Sequence, residues 1–168
     1  ICIDIQLVLI EALCEFSLAS VALAEGDADQ AEHWLQRAQP HFVATQDEGM
    51  QARCLLLHGR VRMVQQRPAE AEALLLQALQ RYQARDELHW VLQCEAWLSA
   101  LALQTGQLAA AQARVERIAQ QLPASVAPPE IDEPEFPAWV CWQCWRAEGD
   151  ARAAPQLEQL HAGVLARL

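Results

Sequence analysis

Cys141-Trp142-Gln143-Cys144 is the one run in this chain whose residue types and spacing suggest chemistry. A pair of cysteines two residues apart becomes a redox centre when its first thiol sits among the free N–H groups of a helix N-terminus, which favour the thiolate. Helical pattern resumes at Pro137, so Cys141 falls fifth, beyond the four unbonded N–H groups, and its activation should be weak. Zinc would need two further ligands, and only His161 lies near in sequence. Both cysteines are therefore expected as small apolar helix residues, with a thiol or zinc protein as the alternative. His33, His41, His58, His89 and His161 lack the i, i+4 spacing or carboxylate companion of a metal or base site, and surface or half-buried positions are expected for them. No Ser/His/Asp order, phosphate loop or catalytic carboxylate pair is present. The sequence thus predicts no catalytic residue, no metal site and no cofactor.

The elements that would carry any site repeat. A shift of 40 residues places Gly26-Asp27-Ala28-Asp29-Gln30-Ala31 on Gln66-Arg67-Pro68-Ala69-Glu70-Ala71 and again on Gly106-Gln107-Leu108-Ala109-Ala110-Ala111. Cys14, Cys54 and Cys94 fall in register, as do Phe42, Tyr82 and Leu122. Small residues recur where two helices must approach closely: Ala19, Gly59 and Ser99, then Ala31, Ala71 and Ala111, then Ala38, Ala78 and, less typically, Ile118. Large apolar residues fill the gaps at Leu18, Leu98, Leu35, Leu75 and Val115, giving one apolar stripe per helix. Antiparallel helical hairpins follow. Equivalent helices pack about 8–10 Å apart, too far for disulfides among the three in-register cysteines, which read as core fillers in a reducing compartment.

Charge narrows the partners. Acids outnumber bases 22 to 12, every base is Arg, and a net charge of −10 repels phosphate backbones and anionic lipid. Neither nucleic acid nor membrane is expected as a partner. The bias to Ala, Arg and Gln without Lys points to a bacterial source. The first ten residues are apolar except Asp4 and Gln6, too short a run to span a bilayer and without the flanks of a signal peptide, so they read as the cut edge of a longer array.

The small residue midway along the first helix, Gly-Asp at the turn and two Ala residues seven apart on the second helix resemble the tetratricopeptide repeat, in three units over 5–122. The period of 40 is longer than the usual 34, and His58 stands where Leu is usual. That resemblance implies an all-α, right-handed superhelix of about four antiparallel hairpins that holds other protein or peptide segments. The family's inner-wall positions map onto Arg53, Leu56, Arg60 and Met63 of the second unit and Gln93, Ala96, Ala100 and Gln104 of the third. Arg53 and Arg60 would clamp an acidic or carboxylate-ended peptide.

Boundaries follow ordinary punctuation. Residues 1–122 form three hairpins, 123–136 a proline-rich acidic connection with Glu130, Asp132, Glu133 and Glu135, and 137–168 a divergent fourth hairpin. Pro68 opens a helix, while Pro40 should kink or end one. In the fourth unit Gly149-Asp150 repeats the turn, Ala154 takes the small position, and Leu157 and Leu160 continue the apolar side. Trp142 replaces Ala19, Gly59 and Ser99. Trp139, Trp142 and Trp145 form a band round one side of a short helix; core packing accounts for one or two of them, and the remainder mark an interface with a following or partner domain. This last stretch also resembles the helical-repeat regions of large bacterial signal-transduction ATPases and of the maltose-regulon activator. Such a resemblance implies a cytoplasmic regulatory array that receives a partner, another domain of its own chain or a small-molecule effector; a peptide-binding adaptor of the co-chaperone kind is the alternative.

Overall fold

A computed structural model describes residues 2–121, 133 and 135–165, with side chains described from residue 6 to residue 159 of these. The described residues form eight helices and no strand: α1 (Cys2–Ala24), α2 (Ala28–Ala44), α3 (Glu48–Val64), α4 (Pro68–Ala84), α5 (Leu88–Gln104), α6 (Leu108–Gln121), α7 (Phe136–Glu148) and α8 (Ala153–Leu165). The chain divides into two compact units, 1–81 and 82–168. Most of the 123–136 connection lies outside the described residues, as do Leu122 and the side chains of Cys2, Leu160 and His161.

The 40-residue period proves to be two periods of 20. Helices α2, α3, α4 and α5 are each 17 residues long and start at 28, 48, 68 and 88. Three residues join each to the next. The central residue of each turn is left-handed, at Gly26, Gln46, Gln66, Asp86 and Gly106, with φ of 85°, 56°, 58°, 55° and 74°. The following N–H reaches back five residues, as Asp27 does to Ala22 O (2.9 Å), Asp47 to Phe42 O (3.0 Å) and Gln107 to Ala102 O (2.7 Å), satisfying carbonyls the helix end leaves free. Asp27 and Asp47 then cap the next helix, accepting from Gln30 N and Met50 N at 2.9 Å.

A side chain at φ > 0 is strained where glycine is not. Gln46→Gly, Gln66→Gly and Asp86→Gly should therefore each stabilise the fold by roughly 0.5–1 kcal/mol, the relief exceeding glycine's greater unfolded freedom. Urea unfolding of the three single variants and the triple checks this, and a lowered midpoint in all of them would refute it.

In the first unit, Ala12, Phe16, Ala19 and Leu23 of α1 pack with Ala31, Leu35, Ala38 and Phe42 of α2 and with Met50, Cys54, Leu57 and Val61 of α3. The small positions do what their recurrence predicts, since Ala19, Ala31, Ala38, Ala71 and Ala78 are all wholly buried. Gly59 is the tightest. A Cβ built there would lie 2.8 Å from Leu75 Cγ on α4.

Leu18 departs from its expected place, and of the two outcomes expected at Pro40 the helix end is not seen. Pro40 does not end α2, which continues to Ala44. The proline falls just before the last turn and removes one N–H bond, while Phe42 beyond it is wholly buried and holds that turn down. Leu18 is 44 % exposed, on the side of α1 that no described helix covers. The apolar run also exceeds the ten residues read at the start. Gln6–Ala24, with mean hydropathy 2.0, is long and apolar enough to cross a membrane by length and composition, although its inner side is packed on α2.

In the second unit, Leu92, Ala96 and Ala102 of α5, Ala111, Val115 and Ile118 of α6, and Val140, Cys141, Cys144 and Trp145 of α7 share one core. The fourth hairpin departs from the expected register. After Gly149 (φ 71°) the helix starts two residues later than its counterparts, so Ala153 turns toward the core and Ala154 is exposed, as is Leu157. Asp150 accounts for the delay: its carboxylate accepts from Arg152 N at 2.9 Å, a local turn that competes with helix.

Candidate functional site

The positions expected on the inner wall in the first unit all lie on α3. Leu56 and Met63 are buried, and Arg53 and Arg60 are half-buried. The Arg53 guanidinium lies 5.0 Å from the centre of the Phe16 ring, which holds its planar face against an aromatic. Seven residues separate the two arginines, about 10.5 Å along the helix.

Beside them stands a network the sequence did not disclose. Arg62 donates from Nη1 to Glu32 Oε2 (2.7 Å) and from Nη2 to Glu32 Oε1 (2.6 Å), a fork-to-carboxylate pair between α3 and α2. Its Nε lies 3.3 Å from Glu70 on α4. Gln65 adds donations to Glu32 (3.0 Å) and Asp29 (3.3 Å). Hydrogen bonds from Arg62 and Gln65 hold the Glu32 carboxyl down to about 2. One arginine thus ties three helices together. Partners 30 residues apart on different helices leave no spacing signal, so only the fold identifies them.

His58, one turn before Arg62, is half-buried with its Nε2 enclosed and without a hydrogen-bond partner. Burial pushes its pKa down, and the neighbouring Arg62 charge adds to that. It is a neutral packing residue in the place of a Leu. His89 departs from the expected half-buried class: it is buried, and burial likewise lowers its pKa.

The second unit treats its inner-wall positions differently. Gln93 and Ala96 are buried, Ala100 is half-buried and Gln104 is exposed. The Gln93 amide donates to Glu133 O at 2.9 Å, so this side chain serves to anchor the approach to α7. Trp97 stacks on Phe136 with ring centres 4.0 Å apart, extending the same junction. The three tryptophans of α7 do not act as one band. Trp145 is buried under the Arg152 guanidinium (4.5 Å), Trp142 is half-buried beneath Arg146 (5.2 Å), and Trp139 is 41 % exposed.

A buried acid recurs in both units. Glu15 meets Arg37 at 2.6 Å, and 80 residues on Glu95 meets Arg117 at 3.2 Å, with Arg114 at 2.6 Å. The intervening unit has Leu55 and Gln77 in those places.

Four of the five described cysteines are packing groups; Cys14, expected as a core filler in register with Cys54 and Cys94, is exposed on α1 instead. Cys141 and Cys144 are buried, and the Cys141 thiol donates to Val115 O at 3.8 Å. Cys141 is the sixth residue of α7, beyond its free N–H groups. Burial pushes the Cys54 and Cys141 thiols up to about 12 and raises those of Cys94 and Cys144. This is the reverse of an activated pair. Among the described residues no three His, Cys, Asp or Glu side chains gather as a metal site would need. A disulfide reagent at pH 8 should modify exposed Cys14 at least about tenfold faster than Cys54, Cys94, Cys141 or Cys144. Mass mapping of early products checks this, and early label on Cys141 would contradict the assignment.

Comparison with known proteins supports the architecture. No family model matches the chain, and no curated protein matches it. Nine chains among solved structures do. One is a crystal structure of nearly identical TPR-like repeats attributed to a kinesin light chain of Podosopora anserina, with a TM-score of 0.62 and 21% identity over 90% of this chain and 73% of that one. At this identity the likeness establishes a TPR-like fold of helical hairpins.

Proposed function

We propose that this chain is the non-catalytic interaction region of a larger regulatory protein, where it holds a protein or peptide segment and passes its occupancy to attached domains. The observation that carries the reading is the placement of Arg53 and Arg60 on one face of α3 in a TPR-like hairpin, beside a helix junction locked by Arg62. Arginine forks bind carboxylates through paired hydrogen bonds, so the segment held is acidic, or ends in a carboxylate. The scaffold supports this role because the arginines ride on a regular helix rather than a loop.

The finer setting belongs to the same proposal. It is a cytoplasmic, bacterial signalling or transcriptional regulator in which the bound segment comes from a partner or from another domain of the chain, and a small-molecule effector acts on the array. Fluorescence titration with a peptide ending in consecutive acidic residues tests the central claim. Micromolar binding is expected, weakened about fivefold to tenfold by Arg60→Ala, a loss of about 1–1.4 kcal/mol. Equal affinity of the variant, or no binding at millimolar peptide, would sink it. Thermal-shift screening of sugars and nucleotides tests the effector arm.

A further inference from the structure

His58 stands where the repeat elsewhere places leucine. A shift of 40 residues puts it on Leu18 in one direction and on Leu98 in the other. Leu98, in the second unit, is 3% exposed, so this is a place for an apolar side chain that needs no hydrogen bond. The imidazole that fills it in the first unit is half-buried, and its Nε2 is enclosed with no hydrogen-bond partner among the described residues. A neutral ring tolerates this, because it carries a single N–H. A protonated ring does not, since both nitrogens then donate and the enclosed one has no acceptor to meet.

The surrounding charges do not rescue an imidazolium there. Glu32 on α2 is the anion that acts on the ring, and it is already engaged. Arg62 donates to both of its oxygens (2.7 and 2.6 Å), and Gln65 donates to one of them (3.0 Å). Arg62 itself, four residues from His58 on the same face of α3, opposes a second positive charge. Elsewhere on α2, Asp29 accepts from Gln65 (3.3 Å), and His33, Arg37 and His41 bring only bases. On α3, Glu48 lies in the first turn, and Arg53 and Arg60 turn to another face. The other helices of this unit offer no better: Glu11 and Glu15 of α1 lie on Arg37, Glu70 of α4 is held by Arg62 and Arg67, and Glu72 is exposed.

We propose that His58 is an acid-sensitive release built into the α2–α3 junction: on protonation the ring leaves its enclosed place and the packing of the two helices loosens, at a pH where the Arg62–Glu32 pair is still ionised. Burial and the Arg62 charge hold the ring below its ordinary 6.5, against a smaller pull from Glu32. The unfolded chain therefore takes up the proton first. Stability from this group is fully present above about pH 6.5 and is lost as pH falls through the lower folded value. Glu32 acts in a different range, since its contribution persists until pH drops below 4.5. Because α3 also carries Arg53 and Arg60, the same step would release a held segment; that consequence rests on the peptide-binding proposal, and the loosening itself does not.

NMR of the histidine Cε1 protons between pH 8 and 5, with amide protection factors at pH 7.5 and 5, tests the release. His58 should titrate below the ordinary 6.5. Protection of the α2 and α3 amides should fall at least about threefold over the same range. His58→Leu, which restores the residue found at 18 and 98, should remove that fall while His33, His41 and His89 remain. His58→Gln, polar but without a proton to gain, should remove it too, and serves if the leucine variant packs poorly. A ring that titrates at or above 6.5 overturns the proposal. So does an undiminished fall in both variants, which would assign the effect to another histidine, or protection in α2 and α3 that does not change with pH.

Discussion

Arg62→Ala should lower the stability of the first unit by about 3 kcal/mol, because it leaves the Glu32 carboxylate without its fork at a junction of three helices. The two side chains are 16 and 22% exposed, so water restores little of what the pair loses. The pKa shift agrees in direction, since Arg62 and Gln65 hold the Glu32 carboxyl well below its ordinary 4.5, at about 2. Its sign sets the pH dependence. The folded state holds Glu32 ionised where the unfolded chain would protonate it, so this stabilisation is fully present above about pH 4.5 and disappears as pH falls through about 2. Wild type and variant should therefore differ most at neutral pH and converge in strong acid. Arg62→Lys keeps the charge but not the paired geometry, and should recover less than half. Urea unfolding at pH 7, 4 and 2.5 measures all three, and a gap that stays constant with pH would show that Glu32 is not the linked group.

Gly59→Leu is the second large effect. The α3 and α4 backbones approach so closely that even a Cβ would meet Leu75 Cγ at 2.8 Å. A whole Leu side chain must displace Leu75 or move α4, and a cost of about 3 kcal/mol is expected. Gly59→Ala is a different case. Overpacking opposes roughly 1 kcal/mol of helix propensity gained over Gly, so its net effect should be small. Ala19 and Ser99 occupy the equivalent positions, which shows that one or two heavy atoms fit this architecture. Combining Gly59→Leu with Leu75→Ala should recover a large part of the loss, because the double change returns volume to the same contact. Strictly additive costs in a double-mutant cycle would place the strain elsewhere.

Much of the hairpin fold was legible because helix packing writes itself into residue size. Close approach demands a small residue every turn or two, and Ala31, Ala38, Ala71, Ala78 and Ala111 are wholly buried as their spacing requires. The 20-residue half-period was hidden because the five left-handed turn positions are filled by Gly, Gln, Gln, Asp and Gly. Backbone conformation repeats there while side-chain chemistry does not. The fourth hairpin misled for a related reason. Gly149-Asp150 copies the earlier turn in letters, but Arg152 engages Asp150 and delays α8 by two residues, which turns Ala154 outward.

Candidate site residues were legible as positions and not as environments. Arg53 and Gln93 hold equivalent places in the repeat, yet Arg53 rests half-buried on Phe16 while Gln93 is consumed by Glu133 O. By itself the sequence determined the helices, their antiparallel pairing and the inertness expected of Cys141 and Cys144, since periodicity and the length of a helix N-terminus are local properties. Tertiary structure alone decided that Arg62 binds Glu32 and that Trp145 is core while Trp139 faces solvent. Each of those depends on which distant surface comes to rest against the residue, and an ion pair or a single covering contact between separate helices leaves no periodic trace in the chain.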